Sequence, residues 1–405
     1  MAAAKVISAL FRTRLLSIVT MCVLVLVVIA CNGRTRQARE AIGGNNLIPV
    51  ATASASSVAQ GEDKVSGTPD RASTVSPASR FSPFGTVKLQ PEFELRGEGV
   101  NIDSIAFWEA PDPADTLMFV TSKRNHLVEV WKYPFENSEQ SPIEGIFGAA
   151  NVNGIAMDQQ KDLLYVSQAK DVSTIYAFSI SSTPPYWELK LAFGEPDLGS
   201  EPNQDILLRS NGETWLYVSD SRKDVHIWNV EPVSLGGEPD FVGSFATVTI
   251  SSIETVLADD YYQVVYVPDE NGRTGIYAFK PDGAPHQRNN TNQFGGEGIF
   301  QSDAEGIILY ACRSPEGRDT GHGFIVVADQ RDELTDLEFF DRRTWEHLGT
   351  LQIEGVWNTD GLASTQQPLP DYPLGILAAV HDDKTTVGVG WDKFFEASGV
   401  SCGEY

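Results

Sequence analysis

Apolar positions along this chain fall in short blocks rather than at the three-to-four spacing of a helix. A β-branched or aromatic run, a polar turn and a second apolar run recur six times, starting at Phe119-Val120-Thr121, Tyr165-Val166-Ser167, Tyr217-Val218-Ser219, Tyr266-Val267-Pro268, Val326-Val327-Ala328 and Leu377-Ala378-Ala379. The spacings are 46, 52, 49, 60 and 51 residues. Second strands are expected at Val128–Tyr133, Ile175–Ile180, His226–Val230, Ile276–Phe279, Leu337–Phe340 and Val387–Trp391, joined by turns rich in Asp, Gly, Asn and Lys. A period near 50 with several strands per unit predicts an all-β chain folded as a six-bladed β-propeller. A β-sandwich does not accommodate so regular a period over six units, and the repeats make residues 89–400 one domain.

A second repeat precedes each of those strands. One polar residue introduces an apolar run at Asp103-Ser104-Ile105, Asn153-Gly154-Ile155, Asp205-Ile206-Leu207, Glu254-Thr255-Val256, Glu305-Gly306-Ile307 and Asp360-Gly361-Leu362, with spacings of 50, 52, 49, 51 and 55. The first strand of a propeller blade lines the central channel, so these positions are expected to ring one mouth. Five are carboxylates. Crowded like charges raise one another's pKa unless a cation compensates, and hard oxygen donors suit Ca²⁺. Further donors follow: Asp259 and Asp260, Asp269 and Glu270, Asp303, and Gln330. Asp303 and Glu305, two apart in an extended segment, are expected to face one ion.

Charge changes the picture by region. The 405 residues carry 30 Lys and Arg against 55 Asp and Glu, a net charge of −25. Residues 1–90 hold ten basic and four acidic side chains, which leaves 20 and 51 beyond them and a net −31 on the body. Such a surface excludes nucleic acid and anionic lipid headgroups as direct partners.

The head is a different kind of sequence. Lys5, Arg12 and Arg14 precede a sixteen-residue apolar run, Leu15 to Ala30, that is short for a spanning helix. It ends Val28-Ile29-Ala30-Cys31, which resembles the bacterial lipoprotein lipobox, with cleavage before a lipidated Cys31. An uncleaved anchor is the other reading; small Ala30 before the cysteine favours the first, and both place the body outside the cytoplasm. The expectation is an exported cell-envelope lipoprotein, attached to the membrane through its lipid alone. Residues 1–30 are then the signal and 31–88, rich in Ala, Ser, Thr, Gly and Gln, a flexible tether. Cys312 and Cys402 remain in a compartment that permits disulfides; the sequence leaves their pairing open. The C-x-x-C spacing of a zinc site is absent.

At its acidic positions the chain resembles the β-propeller phytase family. Glu254-Thr-Val-Leu-Ala-Asp-Asp-Tyr-Tyr-Gln-Val-Val-Tyr-Val-Pro-Asp-Glu270 resembles the family's EGxxADDExGxLYxxEE stretch. Asp303-Ala-Glu305-Gly-Ile-Ile-Leu-Tyr, Asn358-Thr-Asp360-Gly-Leu and Tyr372-Pro-Leu-Gly-Ile resemble its DIEGLxxY, DTDG and YPFG segments. The match is good from about 250 to 395 and weaker but in phase from 95 to 250. The resemblance implies a calcium-dependent phosphoric monoester hydrolase that releases phosphate from phytate, taken as its calcium complex, through calcium-activated water. It implies calcium ligands at Asp103, Glu254, Glu270, Asp303, Glu305, Gln330 and Asp360, of which Asp103, Glu254, Glu305 and Asp360 serve catalysis; Asp205, where the family has Tyr, joins the expected ligands through the ring pattern alone.

Phosphate-holding cations are the departure. Lys123 and Arg124 stand where the first is expected; the next two fall near Ala169 and Ser221, with Lys170, Arg222 and Lys223 adjacent. Two rival readings remain: a non-catalytic calcium-binding surface propeller that binds a ligand or partner, and a lactonase-type propeller hydrolase. The latter needs an acid–base partner, and none of the six histidines occupies a ring position. The chain is expected to be a monomer.

Overall fold

In the computed structural model, residues 79–403 are described, apart from 137–140, 150, 170–173, 195–197, 222, 248, 271–274 and 297. The signal, most of the tether, Cys31, Lys170 and Arg222 lie outside the described residues. No helix among the described residues is long and apolar enough to cross a membrane.

Two short strands come first, β1 (Gly85–Leu89) and β2 (Phe93–Leu95), and then the blades follow in order. Blade 1 is β3 (Ile102–Trp108), β4 (Leu117–Ser122) and β5 (Leu127–Lys132); blade 2 is β6 (Asn151–Asp158), β7 (Leu163–Ala169), β8 (Thr174–Ile180) and β9 (Trp187–Phe193). Blade 3 is β10 (Gln204–Leu208), β11 (Thr214–Ser219), β12 (Asp224–Asn229) and β13 (Asp240–Ala246); blade 4 is β14 (Leu257–Asp259), β15 (Val264–Pro268), β16 (Ile276–Phe279) and β17 (Gln293–Phe294). Blade 5 is β18 (Asp303–Arg313), β19 (Asp319–Gln330), β20 (Asp336–Asp341) and β21 (His347–Ile353). Blade 6 is β22 (Leu362–Thr365), β23 (Ile376–His381) and β24 (Thr385–Gly390), and helix α1 (Trp391–Ser398) follows. Each blade is a separate antiparallel meander, so the fold is a six-bladed β-propeller.

Every triplet singled out in the sequence lies on the second strand of its blade, and every predicted partner run forms most of the third. Hairpin tips take the residues that tolerate positive φ. Asn289 and Asn290, at φ 53° and 65°, turn the chain between Arg288 and Thr291, whose backbones exchange two hydrogen bonds.

The N-terminal strands close the ring. β2 pairs antiparallel with β24 as the outer strand of blade 6, and β1 pairs in parallel with β21 as a fifth strand of blade 5. Residues 85–88, expected in the tether, are therefore part of the propeller, and Phe81 ahead of them is buried against blade 5. The core is divided into six clusters, one between each pair of neighbouring blades. The last joins Ile105 and Val120 of blade 1 to Ile376 and Ala378 of blade 6, so burial itself holds the circle shut.

A disulfide joins Cys312 on β18 to Cys402 beyond α1, 90 residues apart. It ties the C-terminus to blade 5, where Trp391 and Phe394 of the helix pack on Phe339. Cross-linking a loop of this length stabilises by about 4 kcal/mol through the unfolded chain. Replacing both cysteines with serine is therefore expected to lower the denaturant midpoint by an amount equivalent to about 2–5 kcal/mol, measured by urea unfolding of the two forms under identical calcium.

Candidate metal centre

The ring positions of blades 1, 2 and 3 can be placed by one hydrogen bond that recurs in each of them. Thr121 Oγ1 accepts from Ser104 N at 2.9 Å, Ser167 Oγ from Gly154 N at 3.1 Å, and Ser219 Oγ from Asn203 N at 3.1 Å. The residue before each amide is Asp103, Asn153 and Pro202. The third ring position is thus Pro202 and not Asp205, so the ring holds four carboxylates, Asp103, Glu254, Glu305 and Asp360. Asp205 sits three residues further down the channel. Its carboxylate accepts from Ile206 N at 2.8 Å and Ala258 N at 2.7 Å, and burial, opposed by those bonds, pushes it up to about 7.

β3, β6 and β18 each carry a register shift at this point, between Ile102 and Ile105, Val152 and Ile155, and Ala304 and Ile307. A bulge re-aims the residue within it, which turns Asp103, Asn153 and Glu305 toward the mouth. Glycine often follows because the innermost strands nearly touch. A Cβ on Gly361 would lie 2.0 Å from Asp103 O, and one on Gly306 would lie 2.9 Å from Asp360 O.

Side-chain oxygens of Glu254, Glu270 and Glu305 come within 4.8 Å of one another. Gln330 Nε2 donates to Glu305 Oε2 at 3.0 Å and to Asp360 Oδ1 at 2.6 Å, tying the fourth carboxylate to the group. Lys123 completes it. Its Nζ lies 2.6 Å from Asp103 Oδ1, 3.4 Å from Glu201 Oε1, 3.7 Å from Asp360 Oδ2 and 3.9 Å from Glu254 Oε1. Glu201, beside Pro202, is a member that the sequence pattern did not reveal.

Electrostatics follow from this crowding. Burial, then Asp103, raise Asp360 to about 8 against the pull of Lys123. Glu254 is raised by burial and Asp103, and Glu305 by burial, Glu254 and Asp360. Burial opposes the charge on Lys123, but Asp103, Glu254, Asp360 and Glu201 together hold its pKa far above the usual lysine range. The crowded carboxylates thus favour compensating positive charge, part of which Lys123 supplies.

Lys123, Glu270 and Gln330 share one place in the repeat, at or just past the end of the second strand. The same position is Ala169 in blade 2, Ser221 in blade 3 and Asp382 in blade 6. A second ring accompanies the first, and its signal in the sequence is the residue three beyond the central valine of the first five triplets and three beyond Ala379 in the sixth. Both rings are uncharged in blades 2 and 3, so the charged ring positions lie in blades 4, 5, 6 and 1, with Glu201 reaching Lys123 from the edge of blade 3. Asn153 faces this neutral side buried, with neither atom of its amide hydrogen-bonded.

Other expected donors go elsewhere. Asp303 lies outside the three-glutamate cluster: the bulge breaks the two-residue alternation, and after burial the charge that raises it is Asp329. Asp259 and Asp260 close the far end of β14. Asp259 forms a salt bridge with the fully buried Arg342, and Asp260 accepts from Leu208 N. Asp269 accepts from Ser251 N and Oγ, fixing the segment ahead of Glu254. Arg124 and Lys223 have exposed side chains. Below the mouth a channel cavity of about 370 Å³ runs between the innermost strands, with Asp360 in its wall near the mouth and Asp260 deeper.

No family model matches the chain, and no curated protein matches it. Among solved structures it is similar to a chain of "Crystal Structure of Mitotic Checkpoint Complex", with 10% identity, a TM-score of 0.45, and coverage of 74% of this chain and 94% of that one.

Proposed function

We propose that this protein is an exported, calcium-dependent phosphoric monoester hydrolase of the β-propeller phytase type, acting on phytate as its calcium complex. The observation that carries the reading is the convergence of Glu254, Glu270 and Glu305, with Asp360, Asp103 and Gln330 around them, at one mouth of the channel. The donor set fits Ca²⁺: every candidate ligand atom is a hard oxygen, and Glu254, Glu305 and Asp360 are pushed up by burial and by neighbouring carboxylates.

Glu254, Glu270, Glu305, Asp360 and the Gln330 amide oxygen would hold the metal. Bound calcium would supply positive charge to phosphate oxygens and make water a better nucleophile. The remaining work falls to the chain. Lys123, held against Asp103, presents an ammonium at the centre of the mouth, where it can donate to a phosphate oxygen and stabilise charge on it. Gln330 fixes Glu305 and Asp360 relative to one another. The neutral arc formed by Asn153, Pro202, Ala169 and Ser221 leaves room beside the charged one for a bulky polyanion.

One observation favours the non-catalytic alternative, a calcium-binding surface propeller. Of the cations expected to hold phosphate, Lys123 alone among the described residues stands in the cluster, and it is already surrounded by carboxylates. Phosphate release from phytate decides between them. Release is expected with calcium, none with chelator, and Glu254→Gln is expected to reduce kcat/KM by about 100-fold or more. An absence of release at every calcium concentration would leave the binding module as the reading.

A further inference from the structure

The end of the propeller opposite the carboxylate mouth holds a pocket of about 350 Å³ between blades 3 and 4, with Arg209, Lys280 and His286 in its wall. In a body of net −31 this concentration of positive groups is unusual. Arg209 follows β10 and lies with its guanidinium carbon 4.2 Å above the Trp215 ring. Its Nε and Nη1 are buried, the Tyr217 hydroxyl is its side-chain hydrogen-bonding neighbour, and no salt bridge joins it to a carboxylate among the described residues. The hydroxyl of the neighbouring Tyr217 donates to Pro281 O at 2.9 Å. Asp282, the one carboxylate in the wall, accepts from Ala284 N, and no salt bridge joins it to Arg209 or Lys280 among the described residues. Burial, then Arg288 and Lys280, lower the pKa of His286 against the weaker pull of Asp259.

The walls are fixed before any ligand arrives. Gln263 Nε2 donates to Leu208 O at 2.7 Å and Asp260 O at 2.8 Å, while its Oε1 accepts from Ser210 N at 3.2 Å. The turn carrying Lys280 is closed by Lys280 N to Ala284 O at 2.7 Å and Gly283 N to Lys280 O at 2.9 Å. A half-buried guanidinium without counter-charge is costly, and an anion placed among rigid donors removes that cost without reorganisation.

We propose that this pocket is a binding site for a phosphate-sized dianion, with Arg209 and Lys280 supplying the counter-charge and His286 a ring N–H. The site goes beyond the hydrolase reading, because it shares no residue with the mouth and needs no metal.

Calorimetric titration of the full protein with inorganic phosphate in excess chelator tests it, since the mouth then holds no calcium to recruit phosphate. Sulfate and malonate serve as parallel probes. Saturable phosphate binding is expected, weakened about tenfold or more in Arg209→Gln and severalfold in Lys280→Gln, and unchanged in Glu254→Gln. Lys280 is exposed, so Lys280→Gln keeps its fold and decides the matter if Arg209→Gln does not. The proposal is overturned by no saturable binding, by binding that both variants leave intact, by loss in Glu254→Gln, or by a response to malonate alone.

Discussion

Lys123→Met is expected to destabilise the calcium-free protein by about 3–5 kcal/mol, and millimolar calcium is expected to restore most of that loss. With no metal bound, Lys123 is the internal counter-charge of the mouth. Its side chain is 7% exposed, and its Nζ stands within 4.0 Å of Asp103, Glu201, Glu254 and Asp360. Removing one partner of a buried ionic group leaves the others uncompensated, and here four carboxylates lose their shared cation at once. Methionine keeps the length and apolar stem of lysine, so the change isolates charge. Calcium offers the same compensation from solution. If the variant melts with wild type in chelator, or calcium fails to restore it, the internal-cation role is wrong. A split between stability and activity separates the two uses of Lys123. With calcium present the variant is expected to fold but to turn phytate over poorly, because the ammonium proposed to meet phosphate is gone.

The sequence carried the architecture because propeller blades are local objects. Each second and third strand is a hairpin within about twenty residues, and β-branched triplets bounded by Asp and Asn turns report it directly. What closes the ring is not local. β1 and β2 pair with strands more than 250 residues away, and a five-residue run such as Gly-Thr-Val-Lys-Leu has no pattern that distinguishes it from tether. The ring of carboxylates was legible in five blades and failed in the third, where spacing alone pointed to Asp205. A shift of three residues carries that carboxylate down the channel, and the site at the mouth is formed by Pro202 with Glu201 beside it. Spacing also could not tell which end of a strand an acid occupies. Asp259, five residues after Glu254, lies at the far end of β14, where it neutralises Arg342. The second ring was hidden for a chemical reason. Its members are Lys123, Ala169, Ser221, Glu270, Gln330 and Asp382, and a repeat is hard to see when no two blades use the same residue.

Calcium is expected to raise the melting temperature more at pH 8 than at pH 5, and Asp360→Asn is expected to remove much of that difference. The sign follows from the direction of the shifts. Asp360 is raised from 3.8 to about 8 by burial and by Asp103, with Glu254 and Glu305 raised alongside it. A group whose folded pKa lies above its unfolded value binds its proton more tightly when folded. Its contribution to calcium-free stability is complete below the unfolded pKa, near 4, and is lost as pH rises through about 8. The calcium-free protein should therefore weaken across this window. Calcium replaces the protons, so the bound form escapes the loss and the increment grows with pH. Asn at 360 keeps an acceptor for Gln330 Nε2 and carries no charge, so the calcium-free variant should gain about 2 kcal/mol at pH 8 relative to wild type. Differential scanning calorimetry across pH 4.5–8.5 in chelator and in calcium measures both effects. Proton release on calcium binding, read by titration in buffers of different ionisation enthalpy, measures the exchange itself. A calcium increment that is flat with pH, or that persists undiminished in Asp360→Asn, would mean that the cation binds away from this mouth.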